Sequence, residues 1–274
     1  MADCTPCGSI GLFDSGVGGL TVLREVLRQA PESDTLYLAD DAHCPYGPRP
    51  IPEIRAISAE ISRYLLARGA NCIVVACNTA SAAALQHLRE QFAGTPFVGL
   101  VPAVKPAAAL TRSGVIGVLA TPATLGGQLL AEVVDRHAEG VRVLSQACPG
   151  LVEAIEAGEL ECESTDRLLR RYLDPLLGQG ADTLVLGCTH YPFLAPAIQR
   201  LVGPGVYVLD PSAAVARQVC RVAGKERKGE GRHIFLCTGR PEPQQAAARH
   251  LLGLEVTVEK VTWREGRLGP AVSQ

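Results

Sequence analysis

Short apolar runs alternate with helix-patterned stretches along the whole of this chain. The runs cover residues 10–13, 35–39, 72–76, 97–101, 115–120, 141–145, 183–187, 207–209 and 234–237. Each is short and rich in β-branched or aliphatic residues, so each reads as a strand. Several do not alternate. Cys72, Ile73, Val74, Val75 and Ala76 are apolar throughout, as a strand buried on both faces must be. Between the runs, Ile51, Ile54, Ile57, Ile61 and Leu65 recur at helical spacing. So do Leu168, Leu169, Tyr172, Leu173, Leu176 and Leu177, with Ser164 or Thr165 as the N-cap and Gly178 just past the end. Strand–helix alternation implies an α/β fold of parallel sheets covered by helices on both faces.

The 274 residues suit one large domain or two small ones. An internal echo favours two. One apolar run ends in Ala76-Cys77-Asn78-Thr79 and another in Gly187-Cys188-Thr189-His190, and each leads into a helical pattern. Punctuation by Pro and Gly near 96–102 and 209–211 marks where the chain would cross between halves.

Composition excludes several function classes. A net charge of −2 offers no basic excess for phosphate contacts. The cluster Lys225-Glu226-Arg227-Lys228 is broken by acid and reads as a solvated loop, so no nucleic-acid partner is expected. No run reaches the roughly 18 apolar residues of a membrane span. The start, Met1 to Cys7, has neither the basic nor the apolar region of a signal peptide. A cytoplasmic location is therefore expected, with all ten cysteines reduced. Cys4 and Cys7 form a C-x-x-C, but no second pair stands at zinc spacing, so no metal is expected.

In parallel α/β sheets, ligands bind beyond the carboxyl ends of the strands. Here those ends carry Asp14-Ser15-Gly16, Asp40-Asp41, Cys77-Asn78-Thr79, Thr121, Cys148-Pro149-Gly150, Cys188-Thr189-His190 and Asp210-Pro211-Ser212. Helices that follow would aim N–H groups and positive dipole ends at the same space. Cys77 and Cys188 stand out. Each sits between a buried strand and the first turn of an expected helix, where a thiol pKa falls toward neutrality. A buried Cys is otherwise usually a small hydrophobe. Gly16-Val17-Gly18-Gly19 lacks the third glycine of a dinucleotide fingerprint and the lysine of a P-loop. It reads as a tight turn that lets backbone approach a ligand. Asp14 reads either as a site residue or as a cap of the following helix.

Two thiols facing one small pocket suit racemisation at an amino-acid α-carbon. One base removes the proton from one face, and an acid returns a proton to the other. A thiol whose pKa lies near the working pH serves both roles. Donors must also meet the negative charge that develops beside the carboxylate. Asn78, Thr79 and Thr189 are of the right type.

The stretch Ile10 to Leu20 (IGLFDSGVGGL) resembles the opening motif of bacterial glutamate racemases. So do Cys44-Pro45-Tyr46-Gly47, Ala76-Cys77-Asn78-Thr79-Ala80-Ser81 and Leu186-Gly187-Cys188-Thr189-His190-Tyr191-Pro192. Four motifs in order span most of the chain. The resemblance implies a cofactor-independent enzyme that supplies D-glutamate for peptidoglycan, acts on glutamate and assembles as a homodimer. It implies Cys77 and Cys188 as the catalytic thiols, Cys77 serving the D-enantiomer and Cys188 the L-enantiomer. It implies substrate-binding or assisting roles for Asp14, Ser15, Tyr46, Gly47, Asn78, Thr79, Thr189 and His190, and for Thr121 and Glu156. It also implies two pseudo-symmetric α/β domains, 1–98 plus 209–274 and 99–208, with the site between them. Some positions depart from the pattern. His43 stands where Arg is common, Glu153 where Pro is common, and Thr124 is close enough to Thr121 to compete with it. The short N-terminus lacks the extension of members activated by a cell-wall precursor, so that regulation is not expected.

Three other readings remain open at this point. They are an aspartate or hydantoin racemase, a non-catalytic amino-acid-binding module that would need neither thiol, and a nicotinamide oxidoreductase.

Overall fold

A computed structural model of the chain describes residues 8–223 and 229–271. Cys4, Cys7 and the 225–228 cluster lie outside the described residues. The strands in chain order are β1 (Ser9–Asp14), β2 (Thr35–Ala39), β3 (Ala70–Val75), β4 (Phe97–Gly99), β5 (Val115–Ala120), β6 (Arg142–Ala147), β7 (Thr183–Gly187), β8 (Tyr207–Leu209), β9 (His233–Cys237), β10 (Val258–Arg264) and β11 (Arg267–Pro270). They form two sheets. One has the order β11-β10-β9-β2-β1-β3-β4, the other β6-β5-β7-β8. The second order repeats the β2-β1-β3-β4 part of the first, strand for strand. The sequence echo is thus a structural one: β3 and β7 hold the same place in their sheets.

The apolar runs account for the central positions. Every residue of β7, and all but the first or second of β1, β3 and β5, is buried. The edge strand β8 is exposed or half-buried instead. Aromatics make up only 4% of the chain, so Ala, Val, Leu and Ile carry most of the core. The largest apolar cluster is continuous between the halves. It joins Leu12, Leu20 and Val22 of the first to Leu169, Leu184, Tyr191 and Leu194 of the second. The helix Ser212–Ala223, which follows β8, packs on the helix Leu20–Gln29.

Two expectations need correction. First, the large sheet is mixed: β10 and β11 pair antiparallel. The sequence reading missed this hairpin. Of β10 only Val258 and Val261 are buried, set among Glu259, Lys260 and Arg264. A strand so charged gives a weak strand signal. Its turn, Glu265-Gly266, has φ of 49° and 74°. That is a two-residue turn with Glu where Asn or Asp is the usual signal. Second, the helix Glu163–Leu177 starts earlier than expected, with Cys162 as its N-cap. The Thr165 hydroxyl donates to the Glu159 carbonyl at 2.7 Å instead of capping. Among the described residues, no helix is long and apolar enough to cross a membrane.

Strand register brings the chemistry level. Phe13 pairs with Val75 and Asp14 with Ala39. The ladder continues one step beyond, as Ala76 N–H donates to Phe13 at 2.8 Å and Asp40 N–H to Asp14 at 2.9 Å. Asp14, Asp40 and Cys77 therefore stand along one sheet edge. In the other sheet Ala120 pairs with both Ala147 and Gly187, which sets Thr121, Cys148 and Cys188 side by side.

Candidate active site

A cavity of about 200 Å³ lies where the carboxyl ends of the two sheets meet. Ser15, Tyr46, Gly47, Cys77, Asn78 and Thr79 line it from the first half. Thr121, Cys148, Val152, Glu153, Cys188, Thr189 and His190 line it from the second. No Lys or Arg is among these lining residues. Sequence reasoning gave no site role to Cys148, Val152 or Glu153. Val152 in particular looks like any core aliphatic, and only the turn after β6 brings it here. Asp14 and Glu156 do not line the cavity. Each stands directly behind residues that do.

Cys77 is the N-cap of the helix Asn78–Gln91, and its Sγ accepts from Ala80 N–H at 3.5 Å. It is buried, and its thiol also reaches Ser15 Oγ at 3.9 Å. The helix end does not lower this thiol as expected. Burial pushes the Cys77 pKa well above its ordinary value and the neighbouring Asp14 carboxylate adds to the rise, outweighing the Ala80 amide. Asp14 is itself fully buried, and burial raises its pKa against the pull of His190. Its Oδ2 accepts from Gly19 N–H at 2.6 Å and from Thr189 Oγ1 at 3.3 Å. The first of these bonds satisfies the amide at the N-cap of the following helix, so Asp14 supports that helix end and, through Thr189, the cavity lining as well. Its Oδ1 is buried without a hydrogen-bond partner.

Cys188 follows β7, but no α-helix begins there. A single 3-10 turn, Tyr191–Leu194, intervenes before the helix Ala195–Val202. What meets the thiol is a side chain, His190, whose Nδ1 lies 3.9 Å from Cys188 Sγ. The other ring nitrogen, Nε2, is 2.5 Å from Glu156 Oε1. Val17 N–H also donates to that oxygen, at 3.0 Å. Burial opposes a charged imidazole, yet the Cys188 and Glu156 contacts hold the His190 pKa well above its ordinary value. Burial likewise opposes the Glu156 charge, and His190 with the Val17 amide holds its carboxyl below the usual range. The two thiols thus have different supports: a carboxylate beside Cys77, an imidazole backed by a carboxylate beside Cys188.

The glycine turn after β1 serves this second arrangement. A Cβ on Gly16 would fall 2.0 Å from Glu156 Oε1, and one on Gly18 2.5 Å from His190 Nδ1. What comes close to the turn is Glu156 and His190 of the other half.

Both amide atoms of Asn78 are buried without partners, and Asn78 lines the cavity. Such orphans are costly unless a ligand meets them. The hydroxyls of Thr79 and Thr121 join across the halves at 2.9 Å, and Thr124 joins Thr121 at 3.0 Å behind them. Thr121 lines the cavity and Thr124 does not. The Tyr46 hydroxyl donates to Asp40 Oδ2 at 2.8 Å. Asp40, to which sequence reasoning gave no role, is fully buried and accepts from four side chains. Besides Tyr46 they are His43 at 2.8 Å, Thr238 at 2.9 Å and Trp263 at 2.7 Å. It fixes the segment that carries Tyr46 and Gly47. Nothing in the sequence marks it except its place after a strand. Among the described residues, one group with metal-ligand chemistry is found: Cys44, Glu156 and His190.

The Asp/Glu/hydantoin racemase family matches residues 10–219. A glutamate racemase of Roseiflexus sp. (strain RS-1) is 57% identical over 230 residues, covering 84% of each chain. The crystal structure of glutamate racemase isoform RacE1 from Bacillus anthracis superposes with a TM-score of 0.85 at 31% identity, over 95% of this chain and 98% of that one. Escherichia coli glutamate racemase, solved with L-glutamate and the activator UDP-MurNAc-ala, superposes with a TM-score of 0.82 at 33% identity, over 93% and 98%. With the matched region running through both sheets and both thiols, the chain belongs to the Asp/Glu/hydantoin racemase family, on its glutamate racemase branch.

Proposed function

We propose that the chain interconverts L- and D-glutamate without a cofactor, using Cys77 and Cys188 as the two bases, and that it supplies D-glutamate for peptidoglycan. The observation that carries this reading is that both thiols line one small cavity, each from the equivalent strand of a different sheet. In one direction the Cys77 thiolate takes the Cα proton while the Cys188 thiol gives its own to the opposite face. In the other the roles reverse. Asp14 assists Cys77 by accepting its proton. His190, held charged by Glu156, assists Cys188. The unpartnered Asn78 amide, the Thr79, Thr121 and Thr189 hydroxyls and Ser15 hold the substrate's polar groups, while Tyr46 and Gly47 form a wall. A substrate ammonium close to Asp14 and Cys77 would ease the ionisation that burial opposes.

The halves proposed as units are 1–98 plus 209–274 and 99–208. A cytoplasmic location and a homodimer rest on the sequence reading and the resemblance. Light scattering tests the dimer.

The deciding experiment is racemisation followed by circular dichroism on protein dialysed against a chelator. Activity on glutamate is expected, above that on aspartate or a hydantoin. Alanine at either cysteine should abolish it, a loss of at least the roughly 10²–10⁴-fold that general acid–base catalysis supplies. On a glutamate analogue that eliminates a leaving group, each single variant should still process one hand, the two variants losing opposite hands. Activity that returned only with pyridoxal phosphate or a metal, or variants that lost the same hand, would refute the reading.

A further inference from the structure

Cys44 belongs to the first half, and Glu156 and His190 to the second. Their donor atoms all lie within 4.8 Å of one another. Cys44 Sγ stands 3.8 Å from Glu156 Oε1, which is 2.5 Å from His190 Nε2. A thiol, a carboxylate and an imidazole together form a set that Zn²⁺ takes, with bonds of about 2.0–2.3 Å and one coordination position left open. Closing on an ion requires the short His190–Glu156 bond to open by somewhat under an ångström and Cys44 Sγ to settle within bonding reach of the same ion as both.

The surroundings favour a cation. A second cavity, of about 460 Å³, is lined by Asp41, Cys44, Glu153, Glu156 and Arg240. It shares Pro45, Val152 and Glu153 with the substrate cavity, so the three donors stand in the wall between the two. Asp41 brings a third carboxylate to this cavity, and its Oδ2 is buried without a partner. Cys44 does not line the substrate cavity. An ion can therefore arrive by a route that glutamate does not occupy. Burial, and then the Glu156, Asp14 and Asp41 charges, push the Cys44 thiol far up. The same negative field that opposes a bare thiolate attracts a dication, and a coordinating thiol is deprotonated outright.

We propose that Cys44, Glu156 and His190 form an inhibitory site for a soft divalent cation of the Zn²⁺ class, which clamps the two halves together and removes His190 from proton transfer. Binding releases one proton from Cys44 Sγ and one from His190 Nε2 to solvent, and no oxidation state changes. His190 keeps its Nδ1 proton, the one that faces Cys188, but with Nε2 bound to the ion it could give that proton up only by becoming an imidazolate. This inference rests on the racemase reading for its effect, while the site itself is testable without activity.

The test uses the whole chain. Cd²⁺, a spectroscopic stand-in, should give a thiolate-to-metal charge-transfer band that saturates at one equivalent and is lost in Cys44→Ser and Cys44→Ala. Zn²⁺ should lower kcat with little change in the KM for glutamate, and chelator should restore it. Metal-free Cys44→Ser should racemise like the unaltered chain. Its Zn²⁺ inhibition should weaken by more than the roughly 10–100-fold that loss of a mere outer-shell partner costs. A band or inhibition that persists in both Cys44 variants overturns the proposal, as does inhibition competitive with glutamate, which would place the ion on Cys77 and Cys188. A band lost without any loss of inhibition overturns the regulatory role. If the metal-free chain has no racemase activity, the functional reading fails, and the Cd²⁺ titration still decides the site.

Discussion

At the scale of single residues, Glu156 is the most informative. Its Oε1 meets His190 Nε2, Val17 N–H and the Cys44 thiol, so one oxygen ties the glycine turn of the first half to the imidazole of the second. The sign of its effect follows from the two shifts. His190 is raised, so its share of stability is full below the ordinary imidazole pKa and fades as pH climbs through the higher folded value. Glu156 is lowered, so its share is full above the ordinary carboxyl pKa and fades as pH falls through the lower folded value. The pair therefore stabilises between those two folded values. Glu156→Gln removes the charge that holds the imidazolium. Its unfolding free energy should differ most from the unaltered chain inside that window, and the difference should shrink at both ends. Activity should fall by up to about 10²-fold, with the alkaline limb of the pH–rate profile moving to lower pH. A profile of unchanged shape would deny Glu156 any hold on His190.

At the scale of elements, the turn between β1 and the helix Leu20–Gln29 sets the distance between the halves. Gly18 does not have a positive φ, so its backbone tolerates alanine. The added methyl, however, would press on His190 Nδ1 and on Thr189 Oγ1 at 2.6 Å. Gly18→Ala should fold, losing about 1–3 kcal/mol to overpacking. Racemisation should suffer more, by about 10²-fold, because a displacement near 1 Å at a reacting group costs that much. Kinetics set beside thermal unfolding check this. Near-normal activity with the same loss of stability would show that the turn only packs.

At the scale of the whole molecule, the C-terminal hairpin reaches back to the site. Trp263 of β10 donates to Asp40 Oδ1, while Asp40 Oδ2 holds Tyr46 at the cavity. The last described strands thus brace a loop more than 200 positions earlier in the chain. Trp263→Phe keeps a ring but removes one donor from a buried carboxylate, at a cost of about 1–3 kcal/mol. Thermal unfolding should shift down by roughly 2–4 °C per kcal/mol for a chain of this size, and the KM for glutamate should rise as Tyr46 loosens. An unchanged unfolding midpoint would mean that the remaining donors suffice.

Much of this was legible without coordinates, and the reason is local. Strands buried on both faces must be apolar throughout, so β1, β3, β5 and β7 announced themselves, and a strand of a parallel sheet presents its next residues to a ligand. The sequence by itself therefore determined the α/β class, the internal echo and the strand ends that carry Asp14, Cys77, Cys188 and His190. Only tertiary structure decided the rest, because it depends on what lies beside a residue and not on what precedes it. The same feature, a thiol after a buried strand, meets a helix end at Cys77 and an imidazole at Cys188. Asp40 and Glu156 gained partners 223 and 139 positions distant, which no local pattern encodes. The Cys77 thiol was read as low from its helix end, yet burial and the Asp14 charge, both products of folding, raise it.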